Sequence, residues 1–239
     1  MKPLKLLAIS ASPRKDGNSR QFLTDTLKFL DDQMFPVNVT EYSFAGKKFG
    51  PCIGCLACYK NGGKCVINDD YEDLRQLWIA SDIILYAFPV YALSMPGQMK
   101  CFIDRLGNSF YGHYEISYVR HLKVIGALAQ GGVYMGGQEI CNQSIMQHAN
   151  LLSSVYTSGD GVHAGCGAIV GAGGNRNSLR EKAASCDPGY AAELKMAQNT
   201  LKRMVEMAAI LRAGVLGLKE KLSRDPRYLP ALARMSEEE

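Results

Sequence analysis

Short apolar runs alternate along this chain with longer segments whose apolar residues recur at the spacing of a helix. The apolar runs predict buried strands at 4–10, 35–44, 82–91 and 122–132, with a last short stretch inside 163–174. The helical spacing predicts helices at 19–33, 69–81, 95–106, 138–155 and 189–214. Because most of the strands are continuous apolar runs, the pattern indicates an α/β fold in which helices cover both faces of a parallel sheet.

The pattern changes towards the C-terminus. The stretch 222–239 holds two prolines and three terminal glutamates, and it interrupts the helical spacing. We expect one domain over 1–215, which includes a cysteine-rich loop at 50–68, followed by a C-terminal helical extension or tail at 216–239. The tail is expected to be mobile or to wrap around a neighbouring subunit.

Composition and charge exclude several classes of protein. Hydrophobic residues make up 47% of the chain and charged residues 21%, which is typical of a globular protein. The net charge of +4 is not concentrated in a Lys/Arg run, so nucleic-acid binding is not expected. The N-terminal apolar stretch is too short for a signal peptide, and no run is long enough to span a membrane. We therefore expect a cytoplasmic protein with reduced cysteines.

The loop after the first predicted strand is suited to an anion. Its polar side chains precede a predicted helix, whose N-terminal amides add donors and partial positive charge. The loop matches neither a Walker motif nor the dinucleotide fingerprint, and an ordinary polar turn with a capping serine remains an alternative. The candidate phosphate ligands are Ser10, Ser12, Arg14, Asn18 and Ser19.

Two further loops follow strands and offer surfaces for a flat ring. The stretch 88–105 combines Pro89 with exposed amides and apolar side chains, and 130–139 contains four glycines, which permit close backbone approach. Loops that simply tuck into the core or turn the chain remain alternatives. Since the carboxyl ends of parallel strands share one edge, the three loops together suit a mononucleotide such as FMN.

The same three loops carry a family resemblance. The segments SASPRKDGNS, PVYALSMPGQMKCFIDR and GGVYMGGQE resemble the FMN-contacting segments of the NADPH-dependent FMN reductase family. The resemblance implies a flavodoxin-like, doubly wound sheet of five parallel strands with FMN at its carboxyl edge. It also implies a homodimer or homotetramer whose interface helps to enclose the flavin. By this resemblance the ring and ribityl chain would contact Pro89, Val90, Tyr91, Leu93, Ser94, Gln130, Gly131 and Gly132.

Four cysteines lie close together with the spacing C-x2-C-x2-C-x6-C: Cys52, Cys55, Cys58 and Cys65. Three cysteines separated by two successive short gaps favour an iron–sulfur cluster over structural zinc, which usually takes two well-separated knuckles. Free thiols without a metal, and redox disulfide chemistry, remain alternatives. The spacing is similar to that of the iron–sulfur flavoprotein branch of the family, which implies a [4Fe–4S] cluster beside FMN.

The remaining chemistry-bearing residues have simpler interpretations. Asp69 and Asp70 are expected to cap a helix, and Asp104 and Arg105 to form an ion pair at a helix end. The aromatic stretch 109–118 suits a subunit contact. We expect the other cysteines to be packing residues: Cys101, Cys141, Cys166 and Cys186. We expect the histidines to lie at the surface or in the polar core: His113, His121, His148 and His163.

Three functions follow from these features. The first is an FMN-dependent electron-transfer protein that takes electrons from ferredoxin or NAD(P)H and reduces a small acceptor such as oxygen, peroxide or a quinone. The second is a cluster-free NAD(P)H:FMN or quinone reductase, and the third is a flavin-binding redox sensor without turnover. Because flavin chemistry belongs to the cofactor, no catalytic acid or base is expected from the protein.

Overall fold

The computed structural model of the chain describes residues 2–32, 34–161, 165–171 and 175–236. Its centre is a parallel sheet in the order β2-β1-β3-β4-β5, in which β6 also pairs with β4. Every pairing is parallel, as the apolar strands predicted. The strands are β1 (Leu4–Ser10), β2 (Val37–Ser43), β3 (Ile83–Pro89), β4 (Val124–Gly131), β5 (Val155–Tyr156) and β6 (Cys166–Ile169).

Helices follow the strands and connect them by crossovers. They are α1 (Asn18–Leu27), α2 (Tyr71–Ala80), α3 (Gly97–Tyr114), α4 (Gln138–Leu151), α5 (Ser178–Ala184), α6 (Pro188–Gly217), α7 (Lys219–Leu222) and α8 (Leu229–Ser236). Short 3-10 helices occur at Lys28–Asp32, Ala57–Tyr59 and Pro226–Tyr228. The helix predicted over 19–33 ends as an α-helix at Leu27 and continues as a 3-10 helix, and further differences are described below for α3, α4 and α6.

The alternation of side chains along the strands builds a core on each face of the sheet. On β1, Leu7 and Ile9 pack with α2, α3 and α4, whereas Leu6 and Ala8 pack with α1, α5 and α6. Because successive residues of a strand point to opposite faces, a continuously apolar strand serves both cores. This confirms the prediction of a sheet covered on both sides.

The fifth position of the sheet is divided between two short strands. Val155 pairs with Val124, and Cys166 pairs with Leu128, so β5 and β6 extend along successive parts of β4. The predicted helix at 138–155 was therefore too long, because α4 ends at Leu151 and the chain turns into β5. The family resemblance implied five parallel strands, and the described residues form six because two short strands share the fifth position.

Helices α3 and α6 are longer than the sequence pattern indicated. Helix α3 was predicted over 95–106 but continues to Tyr114, so it takes in the first half of the aromatic stretch 109–118. Helix α6 extends the predicted 189–214 to Gly217. Its apolar residues enter the core, as expected for the methionine-rich segment, with Met204 and Leu201 fully buried.

The C-terminal tail packs against the rest of the chain. Leu232 and Met235 of α8 form a small apolar cluster with Val215 of α6. Arg234 pairs with buried Asp82 at 3.1 Å. Mobility was thus the wrong expectation for 222–236, and its prolines begin helical turns, where proline is well tolerated. The terminal glutamates 237–239 lie outside the described residues.

In the part of the chain that the structure describes, no helix combines the length and hydrophobicity that a membrane crossing requires.

Candidate functional site

The three loops predicted to bind a flavin lie side by side at the carboxyl edge of the sheet. Strands β1, β3 and β4 are neighbours, with Ser10 opposite Ala87 and Pro89 opposite Gln130. The loops that leave these strands therefore start within one or two strand spacings of each other. The structure thus brings together residues that are up to 120 positions apart in the sequence.

The loop after β1 presents hydroxyls beside a free helix N-terminus. Ser10, Ser12 and Ser19 are buried, and the Ser10 hydroxyl has no hydrogen-bond partner among the described residues. The Ser12 hydroxyl accepts from the Arg14 amide at 3.2 Å. Gly17 precedes α1, and no side chain caps the first turn. The first amides of α1 are therefore available to an anion, as the sequence predicted.

Asn18 makes side-chain hydrogen bonds within the protein, whereas the Arg14 side chain makes none among the described residues. The Asn18 amide nitrogen donates to the Asn175 carbonyl at 2.9 Å, and its oxygen accepts from the Leu179 amide at 3.0 Å. Asn18 therefore holds the loop against the start of α5. Arg14 is exposed, and its guanidinium has no hydrogen-bond partner in the described parts of the chain. Its charge remains available to a phosphate.

The loop after β3 is a tight turn in an unfavourable conformation. Tyr91 and Ser94 exchange two backbone hydrogen bonds of 2.8 and 3.0 Å, while Ala92 and Leu93 adopt φ values of 47° and 61°. Left-handed φ values at two successive non-glycine residues cost roughly 1–2 kcal/mol each. The side chain of Leu93 is 61% exposed, so burial does not offset this cost. Strain of this kind is typical of ligand-binding loops.

The loop after β4 depends on glycine at two close approaches. A Cβ atom on Gly137, where φ is 103°, would stand 2.6 Å from the backbone of Leu93. A Cβ atom on Gly131 would stand 2.2 Å from the Gln138 side chain. The loops after β3 and β4 are therefore in direct contact, and glycine is required where they meet.

Gln130, at the end of β4, is buried without a side-chain partner. Its carbonyl accepts from the Val90 amide at 2.8 Å, which ties β4 to the loop after β3. Neither end of its side-chain amide finds a hydrogen bond among the described residues. Buried polar groups nearly always have partners, and this unpaired amide lies where the loops after β3 and β4 meet.

The four cysteines of the 50–68 loop line one small pocket. Helix α3 forms the opposite wall through Arg105, Asn108 and Ser109. The Asn108 amide lies 3.7 Å from the Cys52 sulfur, and the Asn108 carbonyl accepts from the Cys58 thiol at 3.6 Å. Burial raises the pKa of the Cys58 thiol, and the other three cysteines raise it further. The four sulfurs therefore share one electrostatic environment.

These cysteines line a pocket without meeting at single-ion distances. In the described residues, no three Cys, His, Asp or Glu side chains are grouped closely enough to hold one metal ion. All four cysteines are free thiols. Two of them, Cys52 and Cys55, are exposed, whereas Cys58 and Cys65 are half-buried against α3.

A buried ion pair closes the base of the cysteine loop. The Arg105 guanidinium lies 2.6 Å from the Asp69 carboxylate and over the ring of Tyr71. Asp69 also accepts from the Gly50 amide at 2.7 Å, and Arg105 donates to the Ile67 carbonyl. Although burial acts in the opposite direction, these hydrogen bonds hold the pKa of Asp69 below its ordinary value. Both ends of the loop are thus fixed to α3.

This ion pair differs from the one expected. Asp104 pairs with Lys100 on the surface of α3, while Arg105 points inward to Asp69. Asp69 accepts from the Tyr71 amide and so contributes to the start of α2, whereas Asp70 bonds to Lys47 and Lys48 instead. Asp69 and Asp70 therefore have different partners, and so do Asp104 and Arg105.

The other cysteines and histidines only partly follow the prediction. Cys141 and Cys166 are buried packing residues and Cys101 is half-buried, but Cys186 is exposed and does not pack in the core. His121 and His148 are buried, and His113 is half-buried beside the Gly62 carbonyl. His163 lies outside the described residues.

A sequence profile of the family described as NADPH-dependent FMN reductase matches residues 4–168, which contain the three edge loops and the cysteine loop. The chain belongs to this family. It is accordingly an FMN-dependent oxidoreductase.

Curated relatives share the sequence at moderate identity. The chain is 41% identical over 110 residues to an iron–sulfur flavoprotein of Archaeoglobus fulgidus, an alignment that spans 46% of this chain and 48% of that protein, about half its length. It is 34% identical over 158 residues to an iron–sulfur flavoprotein of Methanocaldococcus jannaschii, spanning 66% and 77% of the two chains.

Solved structures show the same fold at lower identity. The flavodoxin-type, WrbA-like protein of Agrobacterium tumefaciens superposes with a TM-score of 0.55 at 13% identity. The superposition covers 88% of this chain and 98% of that protein. At this identity the likeness concerns the fold alone.

The sequence prediction missed how α3 supports the cysteine loop of this FMN reductase family member. The supporting residues Arg105, Asn108, Ser109 and Gly112 recur at helical spacing. A Cβ atom on Gly112 would stand 1.9 Å from the Cys58 carbonyl. A stripe of small and polar residues at helical spacing was the available signal, and the prediction ended the helix at residue 106.

Proposed function

We propose that this FMN-dependent oxidoreductase transfers electrons between a reduced donor and a small acceptor, with FMN at the carboxyl edge and a [4Fe–4S] cluster in the cysteine pocket. One observation carries the proposal. Helix α3 begins directly after the ring-binding turn at 91–94 and packs its C-terminal half against the cysteine loop. A single rigid element therefore connects the two candidate redox sites.

The edge fits the phosphate of FMN. The hydroxyls of Ser10, Ser12 and Ser19 lie beside the uncapped start of α1, and the Ser10 hydroxyl still lacks a partner. A phosphate held there would receive hydrogen bonds from hydroxyls and helix amides together. Exposed Arg14 would add its charge from the solvent side.

The neighbouring loops fit the flavin ring. Tyr91 and Leu93 project exposed apolar surface from the strained turn. A Cβ atom on Gly132 would meet only the Gly171 carbonyl, at 3.8 Å, which leaves room for a ring edge, whereas the space beside Gly131 holds the Gln138 side chain. The unpaired amide of Gln130 would gain hydrogen bonds from such an edge. Flavin bound here supplies one- and two-electron transfer, while these residues bind it and shield it from water.

The cysteine pocket suits a cluster by its donor set and spacing. A cubane cluster binds its four thiolates on four different iron atoms, so the sulfurs are further apart than around one zinc ion. The four cysteines line one pocket, although in the described residues they do not meet at the distances that a single metal ion requires, so the proposal rests on their number and spacing. The cluster supplies one-electron transfer, and Asn108 and Arg105 would lie against its thiolates.

The partners of the reaction are a reduced donor, either ferredoxin or NAD(P)H, and a small acceptor such as oxygen, peroxide or a quinone. A second copy of the chain completes the assembly. An open apolar cavity of about 340 Å³ lies between α3 and α4, and exposed Tyr118 and Leu151 border it. Covering this surface would favour a dimer or tetramer, which light scattering of the purified protein would detect.

Spectra and metal analysis of anaerobically purified protein test the proposal. We expect flavin absorption bands, about one FMN and about four iron atoms per chain, and a broad shoulder that dithionite bleaches. The substitution Cys65→Ser should lower the iron content and leave the flavin bound. Cys186→Ser, at an exposed position outside the loop, is the control and should change neither.

The outcomes separate the candidate functions. Protein that binds FMN but no iron, and is reduced directly by NADPH, would instead be a cluster-free NAD(P)H:FMN or quinone reductase, as the family profile also permits. Protein that binds neither FMN nor iron contradicts the proposal. A chain that binds both but turns over with no donor would act as a sensor.

A further inference from the structure

The open cavity between α3 and α4 holds polar groups that the proposed function does not use. It has a volume of about 340 Å³ and is lined by α3, by the segment 116–121 and by the end of α4. We call it the α3–α4 cavity. Among the described residues it shares no lining residue with the three flavin loops, and it meets the cysteine pocket at Asn108, which lines both.

Apolar side chains form most of the walls of the α3–α4 cavity. Phe110, Val119 and Leu152 are buried, whereas Tyr118 and Leu151 are exposed and lie at its opening. A cavity of about 150 Å³ already holds a benzene ring. The α3–α4 cavity therefore has room for a molecule of one or two fused rings.

His121 is a buried imidazole of this cavity that makes no hydrogen bond. The residue is 3% exposed and packs against the rings of Trp78, Phe110 and Tyr114. Neither ring nitrogen has a hydrogen-bond partner among the described residues, and neither is fully enclosed by protein. Because His121 lines the cavity, a ligand there reaches a ring that the protein leaves unpaired.

His148 presents a donor to the same cavity, because its neighbours fix its tautomer. The Trp78 indole donates to the Tyr86 hydroxyl at 3.0 Å, and Nε2 of His148 lies 3.4 Å from that hydroxyl. The hydroxyl proton therefore has Nε2 as its acceptor, and a neutral imidazole that accepts at Nε2 carries its own proton on Nδ1. His148 lines the cavity, and in the described parts of the chain Nδ1 has no partner.

Both imidazoles are neutral near pH 7. Burial lowers the pKa of His148 to about 4, although Asp104 acts in the opposite direction. Burial also lowers the pKa of His121, and Lys123 and Arg234 lower it further. The two rings thus offer N–H donors and one nitrogen acceptor without a positive charge.

This lining selects a neutral aromatic molecule with a hydroxyl group. Apolar walls bury the rings, and a hydroxyl both accepts from an imidazole N–H and donates to an imidazole nitrogen. An anion is disfavoured, because the imidazoles are neutral and the carboxylate among the described lining residues, Asp104, repels it. A cation finds Asp104 already paired with Lys100.

We propose that the α3–α4 cavity binds a small neutral aromatic alcohol, of the phenol or naphthol class, through the imidazoles of His121 and His148. This inference does not rest on the proposed function. In the proposed assembly a second copy covers the same surface, so the ligand would lie beneath the subunit contact and beside the cysteine pocket at Asn108.

Equilibrium dialysis against 2-naphthol tests the proposal, with the flavin site saturated by FMN. 2-Methylnaphthalene is the matched ligand without a hydroxyl, and 2-naphthoate is the matched anion. We expect one 2-naphthol per chain, and each of the other two to bind at least tenfold more weakly. A chain that takes up no FMN would contradict the proposed function, and the same dialysis would still test this cavity.

A substitution at His121 tests the hydrogen bond. His121→Phe keeps a flat ring among its aromatic neighbours but removes both nitrogens. It should weaken 2-naphthol about tenfold, which corresponds to about 1.4 kcal/mol, and leave 2-methylnaphthalene unchanged. His113→Phe is the matched control, because His113 is half-buried and does not line the cavity, and it should change neither affinity.

A substitution at Gly107 tests the location. Gly107 lines the cavity, and a Cβ atom there meets only Leu151, at 4.0 Å. Gly107→Leu should therefore place its side chain in the cavity without a clash and weaken 2-naphthol at least tenfold. Gly214→Leu, at an exposed glycine of α6 where a Cβ atom meets nothing within 4 Å, should leave the affinity unchanged.

Four results would overturn the inference: no binding of 2-naphthol, equal binding of 2-naphthoate, equal 2-naphthol affinities for His121→Phe and His113→Phe, or equal affinities for Gly107→Leu and Gly214→Leu. A second copy that fills the cavity with its own side chains would give the first of these results. Thermal melts of each variant, compared with the parent protein, confirm that the chain is folded during the measurements.

Discussion

Single residues explain why the cysteine loop has a defined position. Arg105 is buried, and it joins Asp69, the Gly50 and Ile67 carbonyls and the Tyr71 ring. Although burial lowers the pKa of Arg105, Asp69 and Cys65 raise it above its ordinary value. One guanidinium thus holds both ends of a long loop, and its charge is compensated mainly by one carboxylate.

Removal of that carboxylate should destabilise the protein. Asp69→Asn leaves a buried guanidinium without its counter-ion, which costs about 3–5 kcal/mol. Urea unfolding near neutral pH measures the loss. Because the pKa of Asp69 is below its ordinary value of 3.8, its contribution is present at neutral pH and is lost only as the pH falls below that value.

Asp104, the residue next to Arg105, supplies the control for this prediction. Asp104→Asn removes an exposed partner of Lys100 and should change the free energy of unfolding by about 0.5 kcal/mol or less. Equal losses of unfolding free energy in Asp69→Asn and Asp104→Asn would show that the buried ion pair stabilises the protein no more than the exposed one.

A buried histidine makes stability depend on pH. His148 is packed beside the Tyr86 hydroxyl, 3.4 Å away, and burial lowers its pKa to about 4, although Asp104 acts in the opposite direction. Between that value and the ordinary value of 6.5, the unfolded chain binds a proton that the folded chain does not. Stability should therefore fall as the pH falls, by about 2 kcal/mol between about pH 7 and pH 5.

Comparison of variants isolates this contribution. His148→Gln should lose most of that pH dependence in urea unfolding, whereas His113→Gln, at a half-buried position, should keep it. An unchanged pH dependence in the His148→Gln variant would assign the effect to other groups, such as buried His121.

At the scale of elements, the flavin edge is formed by loops that constrain one another. The turn at 91–94 holds Ala92 and Leu93 at positive φ, and the loop after β4 fits against it through Gly137. The strain in one loop persists because the other loop leaves it no room to relax. Loops arranged in this way are preorganised for a ring before it binds.

A side chain at this contact should displace the turn. Gly137→Ala places a methyl group 2.6 Å from the Leu93 backbone at a φ of 103°. We expect FMN affinity to fall about tenfold, because the turn must move, while the sheet stays folded. Fluorescence titration of the apoprotein with FMN measures the change.

Gly97→Ala is the matched control. Gly97 is the first residue of α3, beside the same turn, and a Cβ atom there meets nothing within 4 Å. Its FMN affinity should equal that of the parent protein. If Gly137→Ala binds FMN as tightly as Gly97→Ala, then the turn does not contact the flavin.

At the scale of the whole molecule, the two edges of the sheet carry different buried polar groups. At the amino edge, Asp82 is buried between Arg212 and Arg234, and Lys123 donates to the carbonyls of Ile79 and Ser81. At the carboxyl edge, buried side chains of Ser10 and Gln130 lack partners among the described residues. The amino edge therefore holds a buried network of ion pairs, in which the Arg212 Nε also lacks a partner among the described residues.

The C-terminal tail should stabilise the entire fold through the amino edge. Arg234→Ala removes one partner of Asp82 and detaches α8, which we expect to cost about 1.5–3 kcal/mol. For a chain of this length the melting temperature should fall by roughly 5–10 °C. Differential scanning calorimetry measures it.

Arg227→Ala serves as the control in the same tail. Its guanidinium pairs with Asp225 at the surface, so its loss should lower the melting temperature by about 2 °C or less. Similar melting temperatures for the two variants would mean that the tail is attached only by its apolar contacts.

Local patterns in the sequence were sufficient for the layers of the fold and for the edge loops. Continuous apolar strands such as 82–91 can only be buried on both faces, and a polar loop such as 10–20 can only lie at an end of the sheet. The residues that failed prediction are those whose role depends on partners distant in sequence. Asp104 and Arg105 are adjacent, yet only the packing of α3 decides that one faces solvent and the other faces Asp69.

The sequence by itself determined the parallel sheet, its two apolar cores, the three candidate flavin loops and the four-cysteine loop. Each of these features depends on the spacing and polarity of residues that are close together in the sequence. Only the tertiary structure decided which buried polar atoms remain unpaired and how α3 links the edge to the cysteines. Hydrogen-bond satisfaction depends on side chains from several elements at once, and no local pattern specifies where those elements meet.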